Sequence, residues 1–301
     1  MKKFLLKVIL FFAILVCVDF ISGYFFDFLH RHAKGGSTAQ NEYIANGMKD
    51  EVVIFGSSRS VHHYNPYILA DSLGVSVYNC GEKGNGAILS YGRFKMMTSR
   101  YKPQLIVYEV TPGYDYFVWD PYKKYLGNLR QYYDKPGIKE IFNTFDDDLS
   151  PIRMQSRMYR NNSRLIQEVF DNLVYRDNNR GYMPLYGSIY DPNAGGNVKR
   201  EYVIDTLKLQ CMETLFKEIQ ADNIPIVMAI SPVYRNAEGP EMYEEAYRIS
   251  KEYNIPVVDY RDFEPISSDS SYFQDGVHMN TKGAELFSSL IASDLKHFLK
   301  N

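Results

Sequence analysis

Cysteine is scarce: Cys17, Cys80 and Cys211 are the three among 301 residues. They are too few and too scattered for a disulfide framework or a zinc site. An excess of basic charge is also missing. Thirty-four Lys and Arg face 36 Asp and Glu, leaving a net charge of -2. Nucleic-acid binding driven by counterion release is therefore excluded. No G-x-x-x-x-G-K-[ST] run occurs, so there is no Walker A loop. No G-x-S-x-G occurs either, so the α/β-hydrolase elbow is absent. Internal repeats and low-complexity stretches are not evident. At 45% hydrophobic and 23% charged residues the chain has globular usage, not that of a disordered, collagen-like or coiled-coil chain. Tyrosine is what abounds, with 26 residues against one tryptophan.

The N-terminus opens Met-Lys-Lys and runs apolar from Phe4 to Phe26. As a helix this run is roughly 34 Å long, enough to cross a bilayer core. Lys2, Lys3 and Lys7 precede its centre and favour a cytoplasmic N-terminus, with the rest outside the cytoplasm (periplasmic). Arg31 and Lys34 on the far side oppose this orientation. Asp19 interrupts the run and needs an interface or a partner. The run reads as an uncleaved anchor over residues 1–30, contacting the bilayer through residues 4–26. The alternative is a signal peptide with Val8–Val18 as its apolar region, but no A-x-A site follows.

Residues 31–50 are polar, with Gly35-Gly36-Ser37-Thr38, and read as a juxtamembrane linker. From Glu51 to residue 301, short apolar runs alternate with helix-like segments. The runs are Glu51–Phe55, Val75–Tyr78, Leu105–Glu109, Ile226–Ile230 and Val257–Asp259. The helical segments are Pro66–Leu73, Ala87–Arg100, Tyr202–Ala221, Glu241–Tyr253 and Lys282–Leu299, the last behind an Asn280-Thr281 cap. This alternation predicts one α/β domain with a parallel sheet. Residues 114–199 break the rhythm and read as an insertion of loops and short helices over one end of the sheet. Ligands bind at the carboxyl ends of strands in such folds.

Two short runs can carry chemistry. Gly56-Ser57-Ser58-Arg59-Ser60 follows the first strand, where a tight turn can lift a hydroxyl above the sheet edge and aim helix-start N–H groups at it. A phosphate-binding or purely structural turn would look the same. Asp275-Gly276-Val277-His278 precedes the last helix, and its carboxylate can hold the imidazole tautomer. A surface turn with an incidental histidine is the plainer alternative. His62-His63 is a tempting metal pair, but adjacent side chains diverge, and no metal is expected there. Tyr114, Tyr116, Trp119, Tyr122, Tyr125, Tyr132 and Tyr133 can stack on sugar rings or simply bury area. Cys80 and Cys211 read as buried free thiols.

Taken in order, these pieces resemble the SGNH (GDSL-like) hydrolase family from Glu51 onward, outside the insertion. In that family a serine follows a glycine and one intervening residue after the first strand, which maps to Ser58. A glycine after the second strand supplies an oxyanion N–H; in Asn79-Cys80-Gly81-Glu82-Lys83-Gly84 it maps to Gly84. The closing Asp-x-x-His maps to Asp275 and His278. One block departs. The family places Gly-x-Asn-Asp after the third strand, whereas Val110-Thr111-Pro112-Gly113-Tyr114-Asp115 holds no Asn. In this the chain is similar to membrane-anchored members that act in cell-envelope D-alanyl transfer and polysaccharide O-acetylation.

The resemblance implies a three-layer, flavodoxin-like parallel sheet behind one transmembrane helix. It implies that Ser58 attacks an ester, His278 acts as base, Asp275 orients it, and the Ser58 and Gly84 N–H groups hold the oxyanion. Arg59, Asn85 and Tyr114 become candidates for substrate binding, although a pairing of Arg59 with a core-edge carboxylate is the stronger reading. The substrate would be an O-acyl ester, foremost acetyl, on an envelope glycan or a related small ester. Hydrolysis and transfer share the acyl-enzyme. No cofactor is implied; a membrane acyltransferase is a candidate partner. The rivals are an inactive scaffold that binds a glycan or such an acyltransferase, and an anion-binding α/β protein using only the Gly56–Ser58 turn.

Overall fold

The computed structural model describes residues 1–161, 165–174, 177–188 and 202–299. Chain order is α1 (Lys2–Arg31), α2 (Gly36–Glu42), β1 (Val52–Phe55), α3 (Ser58–His63), α4 (Pro66–Leu73), β2 (Val77–Asn79), α5 (Ala87–Thr98) and β3 (Leu105–Glu109). Then follow α6 (Leu165–Leu173), α7 (Thr206–Ala221), β4 (Ile226–Ile230), α8 (Glu244–Tyr253), β5 (Val257–Asp259) and α9 (Thr281–Leu295), with shorter helical turns between.

The five strands form one parallel sheet in the order 2-1-3-4-5, the flavodoxin-type arrangement. Strand periodicity divides the core between its two faces. Val53, Phe55, Ile106, Tyr108, Met228 and Ile230 point to one face and pack on α5, α7 and α8. Val52, Ile54, Leu105, Val107, Val227 and Ala229 point to the other and pack on α4 and α9. With both faces covered, the strands read as continuous apolar runs. The chain reverses sheet direction between β1 and β3, so a crevice opens beyond their carboxyl ends.

All five expected strands form. The second runs Val77–Asn79 because Ser76 N and Oγ bind the Glu51 carboxylate, at 2.9 and 3.0 Å, ahead of the ladder. Helix α7 begins at Thr206, where the Asp205 side chain accepts the Lys208 N–H; Val203 instead receives the Val118 N–H across a short extended contact. Before α8, Pro240–Tyr243 forms a 3-10 turn. Asn280 caps α9 through the Gly283 N–H, and the helix ends at Leu295.

Residues 31–50 are not the expected linker. Helix α2 and a π-turn at Tyr43–Gly47 occupy most of them, and Ile44 and Met48 enter the main core. The Arg100 side chain binds the Ile44 and Ala45 carbonyls, each at 2.9 Å, which seats the turn. Ile44, Ala45 and Met48 are fully buried within this polar-looking stretch. The described part of residues 114–199 holds short helices; residues 162–164, 175–176 and 189–199 lie outside the described residues. It makes a satellite core beneath α5, where Tyr125, Tyr132, Tyr133 and Phe142 pack with Ile88 and Met96. Those tyrosines therefore serve packing. Cys80 and Cys211 are buried free thiols.

Asn79, fully buried at the end of β2, fastens the β1 and β2 loops to each other. Its Nδ2 donates to the Ser60 and Tyr64 carbonyls at 2.6 and 3.2 Å, while its Oδ1 accepts from Ser60 Oγ at 2.9 Å and Gly81 N at 3.0 Å. Removing it strands several buried polar groups at once. Asn79→Ala is expected to lower the unfolding free energy by about 2–4 kcal/mol. Urea denaturation checks this; a loss within measurement error would mean the loops hold without it.

Candidate active site

The site starts from a backbone constraint. Gly56 directly follows β1 at φ +144°, and a Cβ there would lie 2.7 Å from the Glu109 carbonyl oxygen and 2.9 Å from Ser60 Cβ. Only glycine fits. The turn delivers Ser58 to the first position of α3, partly exposed, while Ser57 is buried with its hydroxyl unpartnered. The structure thus separates two serines that the sequence leaves side by side.

Ser58 Oγ lies 2.8 Å from His278 Nε2, although 220 residues separate them. His278 Nδ1 lies 3.0 and 2.9 Å from the two Asp275 carboxylate oxygens. A carboxylate only accepts, so Nδ1 carries the proton and Nε2 is bare toward the serine. Asp275 Oδ1 also accepts the Val277 and His278 N–H groups, both at 2.9 Å, which closes the turn. Burial opposes the Asp275 charge, yet the His278 ring and these N–H groups outweigh it and hold the carboxyl below its ordinary value. It is ionised at neutral pH, as an orienting group must be.

Beneath Ser58, His278 and Asp275 runs a buried polar chain that the sequence did not reveal. The Met279 N–H donates to His63 Nε2 at 2.9 Å, so His63 carries its proton on Nδ1. That Nδ1 donates to Ser231 Oγ at 2.7 Å, and Ser231 Oγ donates to Glu109 Oε1 at 2.7 Å. Glu109, fully buried at the end of β3, also accepts from Tyr64 Oη and pairs with Arg59 Nε at 3.2 Å. Its carboxyl is pushed up by burial against the pull of Arg59, Ser231 and Tyr64. A glutamate closing an otherwise apolar strand was the available signal.

Arg59 is therefore not a free substrate clamp. It is 1% exposed and pairs with Glu109, with Glu238 at 2.7 Å, with Tyr243 Oη at 2.7 Å, and with the Val110 carbonyl. Burial opposes its charge, but Glu238, Tyr243 and Glu109 prevail and keep it a cation. His62 and His63 point to different partners; His62 Nδ1 donates to the Met183 carbonyl at 2.6 Å.

Ser58 and His278 open into a cleft of about 350 Å³. Thr111, Tyr114, Trp119 and Tyr202 line it, with Glu238 and Met242. Tyr114 thus reaches the site, and its ring meets Trp119 edge-on at 6.2 Å. Gly84 sits at φ +68° in the loop after β2, and a Cβ there would lie 4.0 Å from Tyr114 Oη. Asn85 is buried, donates Nδ2 to the Lys83 carbonyl at 3.1 Å, and leaves Oδ1 unpartnered. Among the described residues, neither Gly84 nor Asn85 lines the cleft itself. After β3, where the resemblance calls for an Asn, the Asp115 carboxylate accepts the Thr111 N–H at 2.6 Å and the Tyr108 hydroxyl at 2.7 Å. Thr111 Oγ1 is buried beside the cleft without a partner.

Fold and site together describe a doubly wound α/β domain with a Ser–His–Asp constellation at the carboxyl edge of its sheet. No protein-family model matches the chain, and no curated protein matches it. Solved structures match its fold. A psychrotrophic esterase from a Pseudoalteromonas species is 13% identical with a TM-score of 0.45, over 84% of this chain and 100% of its own. An acetylxylan esterase from Geobacillus stearothermophilus is 11% identical with a TM-score of 0.42, over 85% and 99%. A GDSL-like lipase from Bacteroides thetaiotaomicron is 12% identical with a TM-score of 0.38, over 82% and 88%. These neighbours are esterases and GDSL-type lipolytic proteins. At such scores the likeness is one of overall shape, and the chemistry rests on the site's own geometry.

Burial pushes the His62 imidazole down from 6.5 to about 4, despite its bond to the Met183 carbonyl. A histidine kept neutral by the fold stabilises fully above the unfolded value. That contribution fades as pH falls toward 4, since only the unfolded chain takes up the proton. Asp115, raised by burial to about 7, acts in the opposite sense over the same range. The difference between two profiles isolates the histidine. Between pH 7 and pH 4 the Tm of the wild type is expected to fall more steeply than that of His62→Gln; parallel curves would refute this.

Proposed function

We propose that this chain is an SGNH-type serine hydrolase or acyltransferase acting on O-acyl esters. The observation that carries the reading is the Ser58–His278–Asp275 alignment, with the imidazole tautomer set by the carboxylate. In the reaction Ser58 Oγ bonds to the ester carbonyl carbon as its proton passes to His278 Nε2. The tetrahedral intermediate collapses by breaking the ester C–O bond, and His278 returns the proton to the leaving oxygen. Water or an acceptor hydroxyl then gives its proton to the same nitrogen and attacks the acyl-serine carbonyl; the acyl C–Oγ bond breaks as His278 returns that proton to Ser58 Oγ.

The resemblance gives the Ser58 and Gly84 N–H groups as the oxyanion donors; of the two, Ser58 lines the cleft. Thr111 supplies the third donor in place of the missing Asn; its buried, unpartnered hydroxyl beside the cleft supports this. The Tyr114 and Trp119 wall supports a sugar ring as the group bearing the ester, foremost an O-acetyl group on an envelope glycan. A membrane acyltransferase would supply acyl groups if the reaction is transfer. The chain is held at the membrane by α1, one helix long and apolar enough to cross, with the α/β domain outside the cytoplasm. Asp27 and His30, bound to Arg157 and Glu168 of the body, support an anchor that stays attached over a cleaved signal.

A fluorophosphonate probe and p-nitrophenyl acetate test the mechanism on the full chain in detergent. Ser58→Ala is expected to abolish both labelling and turnover. His278→Ala should lower turnover by roughly 10³-fold or more. Labelling that survives Ser58→Ala, or its absence from the folded wild type, would reject the mechanism and favour an inactive scaffold.

Thr111 has its own test. Thr111→Val is expected to lower kcat by roughly 10²-fold with little change in KM, because one oxyanion donor is lost. Thr111→Ser should retain most of the rate. Equal losses in both variants would make the residue structural.

A further inference from the structure

Helix α6 is built inside out. Its two acidic residues face the protein: Glu168 and Asp171 are fully buried. Glu168 Oε1 lies 3.3 Å from His30 Nδ1, Asn172 Nδ2 donates to the Leu29 carbonyl at 2.8 Å, and the Asp171 carbonyl accepts the Lys34 N–H at 2.8 Å. The opposite face presents Ile166, 88% exposed, and Leu173, 77% exposed, with Val169 and Phe170 between them. That spacing is one helical stripe. A helix of a water-surrounded domain has the reverse polarity. Leu149 and Ile152, on the preceding turn, are also exposed. Among the described residues, 8 of the 18 large exposed hydrophobics that follow α1 fall within residues 149–174.

The same segment is fastened to α1. The Asp19 carboxylate accepts from Ser156 Oγ at 2.5 Å and from the Arg157 and Met158 N–H groups at 3.0 Å, and Arg157 pairs with Asp27 at 2.9 Å. From Phe4 to Phe26 the helix rises about 33 Å at 1.5 Å per residue, enough for the roughly 30 Å of a bilayer's hydrocarbon core. The α6 contacts at Leu29, His30 and Lys34 are thereby registered just past the end of the span, and Ser156, on Asp19, lies deeper. Beyond Asp19 one face of α1 is still apolar and exposed, through Phe20, Tyr24, Phe25 and Phe28. An aromatic stripe at that level belongs to a membrane interface.

We infer that α6 and the turn at 149–152 form a lipid-docking face that rests on the bilayer beside the anchor. The inference rests on reading α1 as a membrane span. The occupant is the acyl and headgroup boundary of the bilayer, into which the apolar face of an interfacial helix sinks about 5–10 Å. The body is then held by two contacts, a span and an adjoining apolar face, and does not swing freely on a tether.

Site-specific depth measurement tests this. The full chain carrying Cys17→Ser would be reconstituted in phosphatidylcholine and phosphatidylglycerol vesicles with brominated acyl chains. An environment-sensitive thiol label would be placed at Leu10→Cys, Ile166→Cys, Leu173→Cys or Tyr67→Cys, one at a time. Cys80 and Cys211 are buried and stay. Labels at 10, 166 and 173 are expected to be blue-shifted and quenched by bromolipid, while the label at 67 stays water-like. Quenching at 10 but not at 166 or 173 overturns the docking face, leaves the anchor standing and assigns the stripe to a protein partner. No quenching at 10 overturns the anchor and the docking face together.

Discussion

Glu109 is the group on which the site's geometry depends. It ends the central strand β3 and is fully buried. Through Arg59 it grips the residue after the serine; through Ser231 and His63 it grips the residue after His278. Two loops more than 200 residues apart in sequence are thus referred to one buried carboxyl. Removing one partner of such a buried pair leaves an uncompensated charge and costs far more than an exposed pair is worth. The arrangement makes the Ser58–His278 separation a property of the sheet and not of two independent loops.

The outer half of the site is built differently. Asp275 lies on an exposed turn, and its hold on His278 is a local affair of four residues. The aromatic wall comes from the insertion and from the approach to α7. The placement of Ser58 and His278 therefore rests on the switch point of the sheet, while the lining of the cleft is carried by segments free to vary without disturbing it. Helix α1 and α6 belong to this outer layer, joined to each other by polar contacts and to the sheet through the satellite core.

The sheet was legible because its strands are short, continuous apolar runs, and because Asn280 and the glycine turn mark their neighbours plainly. Ser58, His278 and Asp275 were legible only as an ordered set; neither block was decisive alone. What stayed hidden was hidden for physical reasons. Ile44 and Met48 sit in a stretch whose composition looks like a linker, and burial of a few side chains decided otherwise. The pairing of Arg59 with a core-edge carboxylate was legible, but not which carboxylates: Glu109 and Glu238, like the Ser231 partner of His63, come from distant parts of the chain. The reversed polarity of α6 has an ordinary amphipathic pattern; only the fold shows which face points outward.

The single tryptophan gives the molecule an unusual optical property. Trp119 stands in the wall of the cleft, 40% exposed and beside Tyr114. Twenty-six tyrosines are spread through the chain, but light absorbed at the red edge of the aromatic band excites only the indole. Emission collected there describes the polarity of one wall of the cleft and nothing else. The protein carries its own dye, at the place where a bound molecule would displace water.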